Sequence, residues 1–541
     1  MYKPLSKEIA FEDFNQPVGM HLSAENRWVE KAKLIDWESI EKAYSCNFHG
    51  INGQVAKPAR LALGALLIQT EYGYSDLEVV DQIQENPYLQ YFCGFPGYIY
   101  EKPFHASLMV RFRKRFNPKV MAKINEAFIR KVEEVPEDSA GERTDGGKDD
   151  NSRDDNHDDH DNHDNHDNHD NHDNHDNHDN HDNHDNHTPP AEPSLFDNDQ
   201  DASDDNVEQR SSEQRTENQG TMIVDATCAP SNIKYPQDTE LLNDARKKLE
   251  TMIDQLHDAK EDGRRPRTYA GKAKKDYLAF ARLRKKTSKA AHKTVGKLLR
   301  YVRRNLRYVR GLLELGRKLP ENLQKQLGTI EQLYEQQKSM FENRSHRVEN
   351  RIVSLRQPFL RPIVRGKAKA PVEFGPKLDI SVINGFVRLE QYSFEAYNES
   401  EYLLQEIEHY RSLYGCYPSR VLADKIYRNR KNLSFCKEHG IRLSGPALGR
   451  PKKDAVVDKK RDYQDICERG EVERDFSLTK RKFGLGLIRT YLKETTTTVL
   501  GLAVLAFNLH RVFRKVVHDL LCAFLKNVSM AICFKNLLFG Q

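Results

Sequence analysis

No two cysteines in this chain have the spacing of a metal ribbon. The eight, at positions 46, 93, 228, 416, 436, 467, 522 and 533, never fall as Cys-x-x-Cys, which excludes a zinc ribbon and leaves scattered reduced thiols. Nor is any apolar run long enough to cross a bilayer. The longest, residues 499–509, is short and contains Asn508. The opening residues, MYKPLSKEIAFEDF, lack the basic-then-apolar pattern of a secretory signal, so the expectation is a cytoplasmic protein without a membrane partner. Two further scarcities are local. Residues 264–310 contain one acid, Asp276, against eighteen Lys and Arg, and residues 135–219 contain almost no apolar side chains. A net charge of +4 conceals this segregation, which speaks for a polyanionic partner bound by one part of the chain.

What is present divides the 541 residues into four parts. Residues 1–134 read as an all-α domain. The run LALGALLI at 61–68 is a buried helix core with Pro58 near its start. A break at 73–75 follows, and Ser75-Asp-Leu-Glu78 has the capping-box form. A helix over 76–84 then places Leu77, Val80 and Ile83 on one face. Helix, short glycine-containing turn and helix outline a helix-turn-helix, although plain core packing has the same outline. The cluster Arg111-Phe-Arg-Lys-Arg115, interleaved with Phe112 and Phe116, suits phosphate contacts through Arg111 and Arg113.

Residues 135–219 cannot build a core. Eleven of the twenty-one histidines recur every third residue from His157 to His187 in an Asn-His-Asp repeat. Loose binding of Zn, Ni or Cu is open to such a repeat, but an expanded triplet serving as a disordered linker is the plainer reading. In residues 239–365 the sequence is helical and polar. Leu241, Leu249, Ile253 and Leu256 form one stripe, and Leu298, Leu299, Val302, Leu306 and Val309 another. Lys285, Lys286, Arg303 and Arg304 lie in the block of eighteen bases. With one phosphate charge per about 1.7 Å of duplex, that density suits a nucleic-acid clamp better than a solvated coiled-coil arm.

The remainder alternates strand and helix. Residues 221–225 are a short strand closed by Asp225, a place for a metal ligand or for a helix cap. Asn384-Gly385 between two alternating runs predicts a type I′ hairpin. A helix over 399–413, a strand over 420–424 closed by Asp424, a helix over 429–439 and a strand over 441–444 follow. A loop with basic residues at 450, 452 and 453 leads to a helix bearing Arg469, Glu473 and Lys480. Spacings of four and seven put those three on one helical face. A carboxylate between two cations suits a divalent ion beside a phosphate, although i,i+4 ion pairs on a solvated helix have the same spacing. An apolar helix over 495–513 closes the core, and 516–541 form a basic amphipathic tail. The order of these elements is the outline of an α/β, ribonuclease-H-like catalytic core over 220–515, interrupted after its first strand by the basic helical insertion. Three converging carboxylates, Asp225, Asp424 and Glu473, are a donor set for two Mg²⁺ ions about 3.5–4 Å apart, with Mn²⁺ able to substitute.

At these residues the chain resembles the bacterial insertion-sequence transposases of the DDE class, in the InsH-like group that includes the insertion-sequence-four and -five types. The matching stretches are residues 58–116, 222–242, 421–443 and 468–495. The group's signature is Tyr, two residues, Arg, three residues, Glu, six residues, Lys. Arg469, Glu473 and Lys480 meet it, while Ile466 stands where the group has tyrosine. The resemblance implies that Asp225, Asp424 and Glu473 are the catalytic triad and metal ligands. It also implies that Arg469 and Lys480 hold DNA phosphate, and that the chain cleaves and rejoins its element's terminal inverted repeats and target DNA as a dimer or higher oligomer. A nucleoid-associated cytoplasmic protein is implied as well. A non-catalytic, sequence-specific DNA-binding remnant is the alternative, and a metal store built on the histidine repeat a more distant one.

Overall fold

The computed structural model describes residues 10–46, 48, 55–134, 217–258, 261, 263–364, 372–446, 448 and 458–539, the last with side chains to residue 517. The histidine repeat and the basic residues at 450–453 lie outside the described residues, as do the side chains of 518–541.

The N-terminal part is helical: α1 (Arg27–Leu34), α2 (Trp37–Ser45), α3 (Ala59–Tyr72), α4 (Asp76–Glu85), α5 (Pro87–Phe92), α6 (Leu108–Arg115) and α7 (Pro118–Glu133). Helix α3 is buried on every side from Ala59 to Ile68, as its unbroken apolar run requires. It ends at Gly73, whose φ of +71° is the left-handed C-cap that glycine adopts without strain. The capping box forms in full between Ser75 and Glu78. Of the expected inward face of α4, Val80 and Ile83 are buried and Leu77 is not. Val79, Val80 and Ile83 face inward, and Leu77, in the first turn, is 68% exposed.

The sheet begins at β1 (Thr221–Cys228). The insertion follows as α8 (Asp238–Leu256), α9 (Ala270–Ala281), α10 (Ser288–Glu314) and α11 (Glu321–Glu342). The small ribbon β2 (Pro362–Val364) and β3 (Val372–Phe374) precedes the hairpin β4 (Lys377–Ile383) and β5 (Phe386–Ser393). The chain closes through α12 (Leu403–Tyr414), β6 (Arg420–Leu422), α13 (Arg430–Glu438), β7 (Arg442–Leu443), α14 (Lys459–Lys482) and α15 (Lys493–Phe539). The hairpin turn is as expected: Asn384 and Gly385 have φ of +52° and +80°, the paired positive angles of a type I′ turn.

The five-stranded sheet has the order β5-β4-β1-β6-β7. Strand β4 is antiparallel to both neighbours, and β1, β6 and β7 run parallel. Strand β1 extends three residues beyond its expected end at Asp225. Its long partner β4 keeps pairing it as far as Cys228 opposite Lys377, so Asp225 lies within a strand on that side. The two sheet faces pack differently. Met222 and Val224 join Ile407, Tyr410 and Tyr427. Ile223 and Leu422 join α14, α15 and the N-terminal helices in one continuous core.

The all-α part and the sheet therefore share their interior, and α15 is the common element. Asn508 donates to Asn125 Oδ1 on α7 at 2.8 Å and to the Val387 carbonyl on β5 at 2.8 Å. Residues 493–517 are also the described stretch long and apolar enough to cross a membrane, but 78% of that apolar window is buried inside the protein, which is what a core helix requires. Helices α8, α10 and α11 keep a separate core, in which Leu249 and Ile253 meet Leu298, Val302 and Leu306. Phe507, 2% exposed, lies in the shared core, and Phe507→Ala is expected to cost about 3–5 kcal/mol. Both tryptophans, Trp28 and Trp37, are on the N-terminal helices. Their fluorescence and the far-UV signal should shift together in urea, whereas a displaced sheet transition with an unmoved tryptophan transition would contradict a shared core.

Candidate metal and DNA site

The register of β1 and β6 sets up the site. Thr221, Met222 and Ile223 pair with Arg420, Val421 and Leu422. Two residues beyond the last pair on each strand stand Asp225 and Asp424. Alternation turns both toward the face of Ile223 and Leu422, the face that α14 covers. Both acids follow the last β1–β6 pair, where the two strands part. Asp225 Oδ1 accepts from the Ala226 amide at 2.8 Å. Asp424 caps the single 3₁₀ turn Lys425–Tyr427, accepting from the Lys425 amide at 2.7 Å.

Helix α14 is fastened over this edge by ion pairs at both ends. Asp465 accepts from Arg442 of β7 at 2.8 Å, and Glu468 pairs with Arg420 of β6 at 2.6 Å. Farther along, Asp475 pairs with Arg511 of α15 at 3.1 Å, and Glu471 pairs with the same guanidinium. The Arg442 contact holds the Asp465 carboxyl below the usual range, despite burial. Burial pushes the Asp475 carboxyl up to about 6, against the pull of Arg511. With Val472 and Phe476 buried beneath, the helix presents Arg469, Glu473 and Lys480 toward the strand ends. Arg469 stands between two of the acids, 3.6 Å from Asp424 and 3.9 Å from Glu473. Lys480 donates to Thr227 Oγ1 at 2.7 Å, and Thr227 shares the face of Asp225.

Of the residues singled out in the sequence, Asp424, Arg469 and Glu473 meet directly, and Lys480 reaches β1 at Thr227, two residues from Asp225. As their side chains lie, the described residues include no group of three carboxylates, histidines or cysteines placed to share one metal ion. The guanidinium of Arg469 occupies the position between Asp424 and Glu473, whose side chains are 57% and 64% exposed. The donors fit a hard divalent ion in kind, being carboxylate oxygens on an open edge. Their present cation is the arginine.

On the opposite sheet face lies a second group of acids that sequence reading passed over. Asp379 is wholly buried on β4, opposite Ala226. Neither oxygen of Glu406, 3% exposed, has a hydrogen-bond partner among the described residues. Burial pushes the Asp379 carboxyl up to about 7 against the pull of Lys377. Glu406 is driven well above the usual range by burial, and by Asp379 and Glu390 beside it. The linkage follows from the raised value for Asp379. The folded state favours its protonated form, so stability falls as pH rises from about 4 to about 7 and is level above that. Asp379→Asn should therefore stabilise the protein at pH 8 by on the order of 3 kcal/mol and hardly at all at pH 4. Thermal melts across that range check this, and a gain independent of pH would contradict it.

Among the remaining expected contacts, Arg111, Lys285, Lys286 and Arg303 are exposed. Two are not free to meet phosphate. Arg113 is 6% exposed. It turns inward onto Asp76 of α4 and donates to Gln69 of α3 at 2.6 Å, where α6 packs against α3. Arg304 is half-buried and sits over Tyr269 and Tyr301, 4.7 and 5.6 Å from the ring centres. Arg303 belongs instead to a stripe whose other members were not singled out in the sequence. Arg300, Arg303, Arg307 and Arg310 are all exposed at alternating spacings of three and four, and among the described residues only Arg310 meets an acid, Glu331 at 2.8 Å. That spacing was readable once Leu299, Val302, Leu306 and Val309 had fixed the buried face.

Comparison with known families bears on both ends of the chain. Residues 421–510 match the family described as "Transposase DDE domain", and that span holds Asp424, Arg469, Glu473 and Lys480 but not Asp225. Residues 17–115 match "Transposase domain (DUF772)". A Rhizobium meliloti protein described as "Uncharacterized protein ORF8 in nfe locus" is 35% identical over 101 residues, which are 19% of this chain and 48% of that relative. The chain thus spans about half the length of that relative. No solved structure matches. The matched span at 421–510 carries β6, β7 and the covering helix α14, so this part of the chain is similar to a transposase DDE domain. The N-terminal helices are likewise similar to a transposase domain, so both matched spans point to the bacterial insertion-sequence transposases as what this chain resembles.

Proposed function

We propose that the chain, as an InsH-like transposase, binds the terminal inverted repeats of its insertion sequence and cleaves and transfers DNA strands there with divalent metal ions. The observation that supports this reading is that Asp225 and Asp424 each follow the last β1–β6 pair by two residues, while Arg469 of α14 stands 3.6 Å from Asp424 and 3.9 Å from Glu473. The strand order, with an antiparallel second strand and a long helical insertion after the first, supports a ribonuclease-H-like core. All three acids are intact, which speaks against a non-catalytic remnant.

Asp225, Asp424 and Glu473 would hold the metal, Mg²⁺ or Mn²⁺, which when bound supplies charge for an attacking oxygen and for the leaving oxygen at phosphorus. The residues of the chain do the rest. The β1 and β6 backbones fix the two aspartates, and the ion pairs of α14 fix Glu473 against them. Arg469, half-buried at 26%, turns from the carboxylates to the scissile phosphate. Lys480, anchored on Thr227, neutralises the neighbouring phosphate. The stripe on α10 tracks the flanking duplex.

The direct test uses a duplex carrying the DNA that flanks the coding region, with Mg²⁺. Nicks at the element boundary leaving 3′-hydroxyl ends are expected. An intact duplex, under conditions where the protein demonstrably binds it, overturns the reading. Arg469→Ala should lower the cleavage rate by on the order of 10²–10³-fold, the usual loss of a group that stabilises developing charge. Duplex binding by that variant should change little, and equal loss of binding and cleavage would place Arg469 in binding alone.

A further inference from the structure

At the root of the helical arm, where the start of α10 meets the end of α11, a cavity of about 850 Å³ opens to solvent. That volume is in the range of small-ligand sites. Its cationic rim is Lys286, Lys289 and Arg344, and none of the three has an ion-pair partner among the described residues. Arg344 has a φ of +49°, a left-handed angle that a non-glycine residue adopts at a cost. The lining acid, Asp238, is engaged by Gln337 at 2.8 Å and Arg351 at 2.7 Å, so it leaves the rim's positive charge in place.

The cavity also has an aromatic floor. His292 lies parallel to Phe341, 4.1 Å between ring centres and 12° between planes. Gly296 makes room for this stack, since a Cβ there would come within 2.8 Å of the Phe341 ring. His292 is nonetheless exposed, and with one face on Phe341 its other face can take a further ring.

A flat ring surface beside three unpaired cations is the chemistry that recognises a nucleotide: an aromatic base carrying a phosphate. We infer that this cavity takes one nucleotide of an unpaired DNA strand, its base on His292 and its phosphate among Lys286, Lys289 and Arg344. The inference rests on the DNA-acting reading above and deepens it. The exposed arginines of α10 run as a stripe along one helix face and suit duplex backbone, whereas this pocket reads a base face without regard to its identity.

The test is a fluorescence-anisotropy titration of the full chain, without divalent metal, against a short oligothymidine, an abasic strand of equal length and a random duplex. The protein should prefer oligothymidine over the abasic strand by about five-fold or more, the usual gain from one stacked base. His292→Ala and Arg344→Glu should each remove most of that preference while His292→Ala leaves duplex affinity unchanged. Both positions are exposed, and thermal melts confirm folding. Should His292→Ala melt early, Arg344→Glu decides. Parity between the two strands in the unaltered protein overturns the inference, as does an undiminished preference in the variants. Thymidine monophosphate binding as tightly as the strand would make this a free-nucleotide site and overturn the strand assignment. Failure of the transposase reading appears elsewhere, as a duplex neither bound nor cut.

Discussion

Asp225→Asn, Asp424→Asn and Glu473→Gln are each expected to reduce Mg²⁺-dependent strand cleavage by on the order of 10³-fold or more while leaving duplex binding within about two-fold. The size of the effect follows from the division of labour at the strand edge. Each amide keeps the volume of its carboxylate but removes the charge that a hard divalent ion needs. Asp424 and Glu473 are more than half exposed, so the substitutions leave little buried polar surface unsatisfied, and folding should survive. Arg469 would lose its counter-charges in the Asp424 and Glu473 variants, which frees it for phosphate and if anything strengthens binding. Single-turnover cleavage and anisotropy on one DNA separate the two quantities. Unreduced cleavage in any one variant removes that acid from the site, and parallel loss of binding and cleavage would instead point to misfolding.

The second large effect belongs to the arm. Arg303→Glu combined with Arg307→Glu reverses two exposed charges on the outer face of α10 and touches nothing in the core formed by Leu298, Val302 and Leu306. If both contact phosphate, the slope of log affinity against log salt should fall by about two units, and duplex affinity near physiological salt should drop by roughly 10²-fold. The thermal midpoint should hold within a degree or two. Arg304→Ala is the useful contrast. Its guanidinium packs on Tyr269 and Tyr301, so its loss should lower stability more than affinity. An unchanged salt slope in the double variant would move the duplex to another surface.

What could be read from the sequence was mostly what is decided locally. The hairpin at Asn384-Gly385 needs two left-handed residues and almost nothing else, and the capping box at Ser75 and Glu78 is closed within four residues. The shared face of Arg469, Glu473 and Lys480 follows from helical geometry alone. What escaped depends on distant partners. Strand β1 outruns Asp225 because β4 is long enough to pair it to Cys228. Arg113 turns inward because α4 offers Asp76. Leu77, in the first turn of α4, turns outward, and Val79 takes the inward place. The buried acids Asp379 and Glu406 sit among strand and helix residues that are ordinary in pattern, and only the packing of α12 beneath the sheet encloses them. The common interior of the N-terminal helices and the sheet was hidden by the length of chain that separates them. The placement of Arg469 between two carboxylates belongs to the same class, since no spacing in the sequence relates Asp424 to α14.

The sharpest measurement exchanges one donor atom. A thiolate binds Mg²⁺ poorly and Mn²⁺ better, so Asp424→Cys should be inactive on the element's flanking DNA with Mg²⁺ and recover cleavage when Mn²⁺ replaces it. The unaltered protein should cut with either ion. Rescue by the softer ion shows that residue 424 touches the metal during strand cleavage. An Asp424→Cys protein that cuts normally with Mg²⁺ would show that this carboxylate holds no ion, and that Asp225, Asp424 and Glu473 are not a metal site.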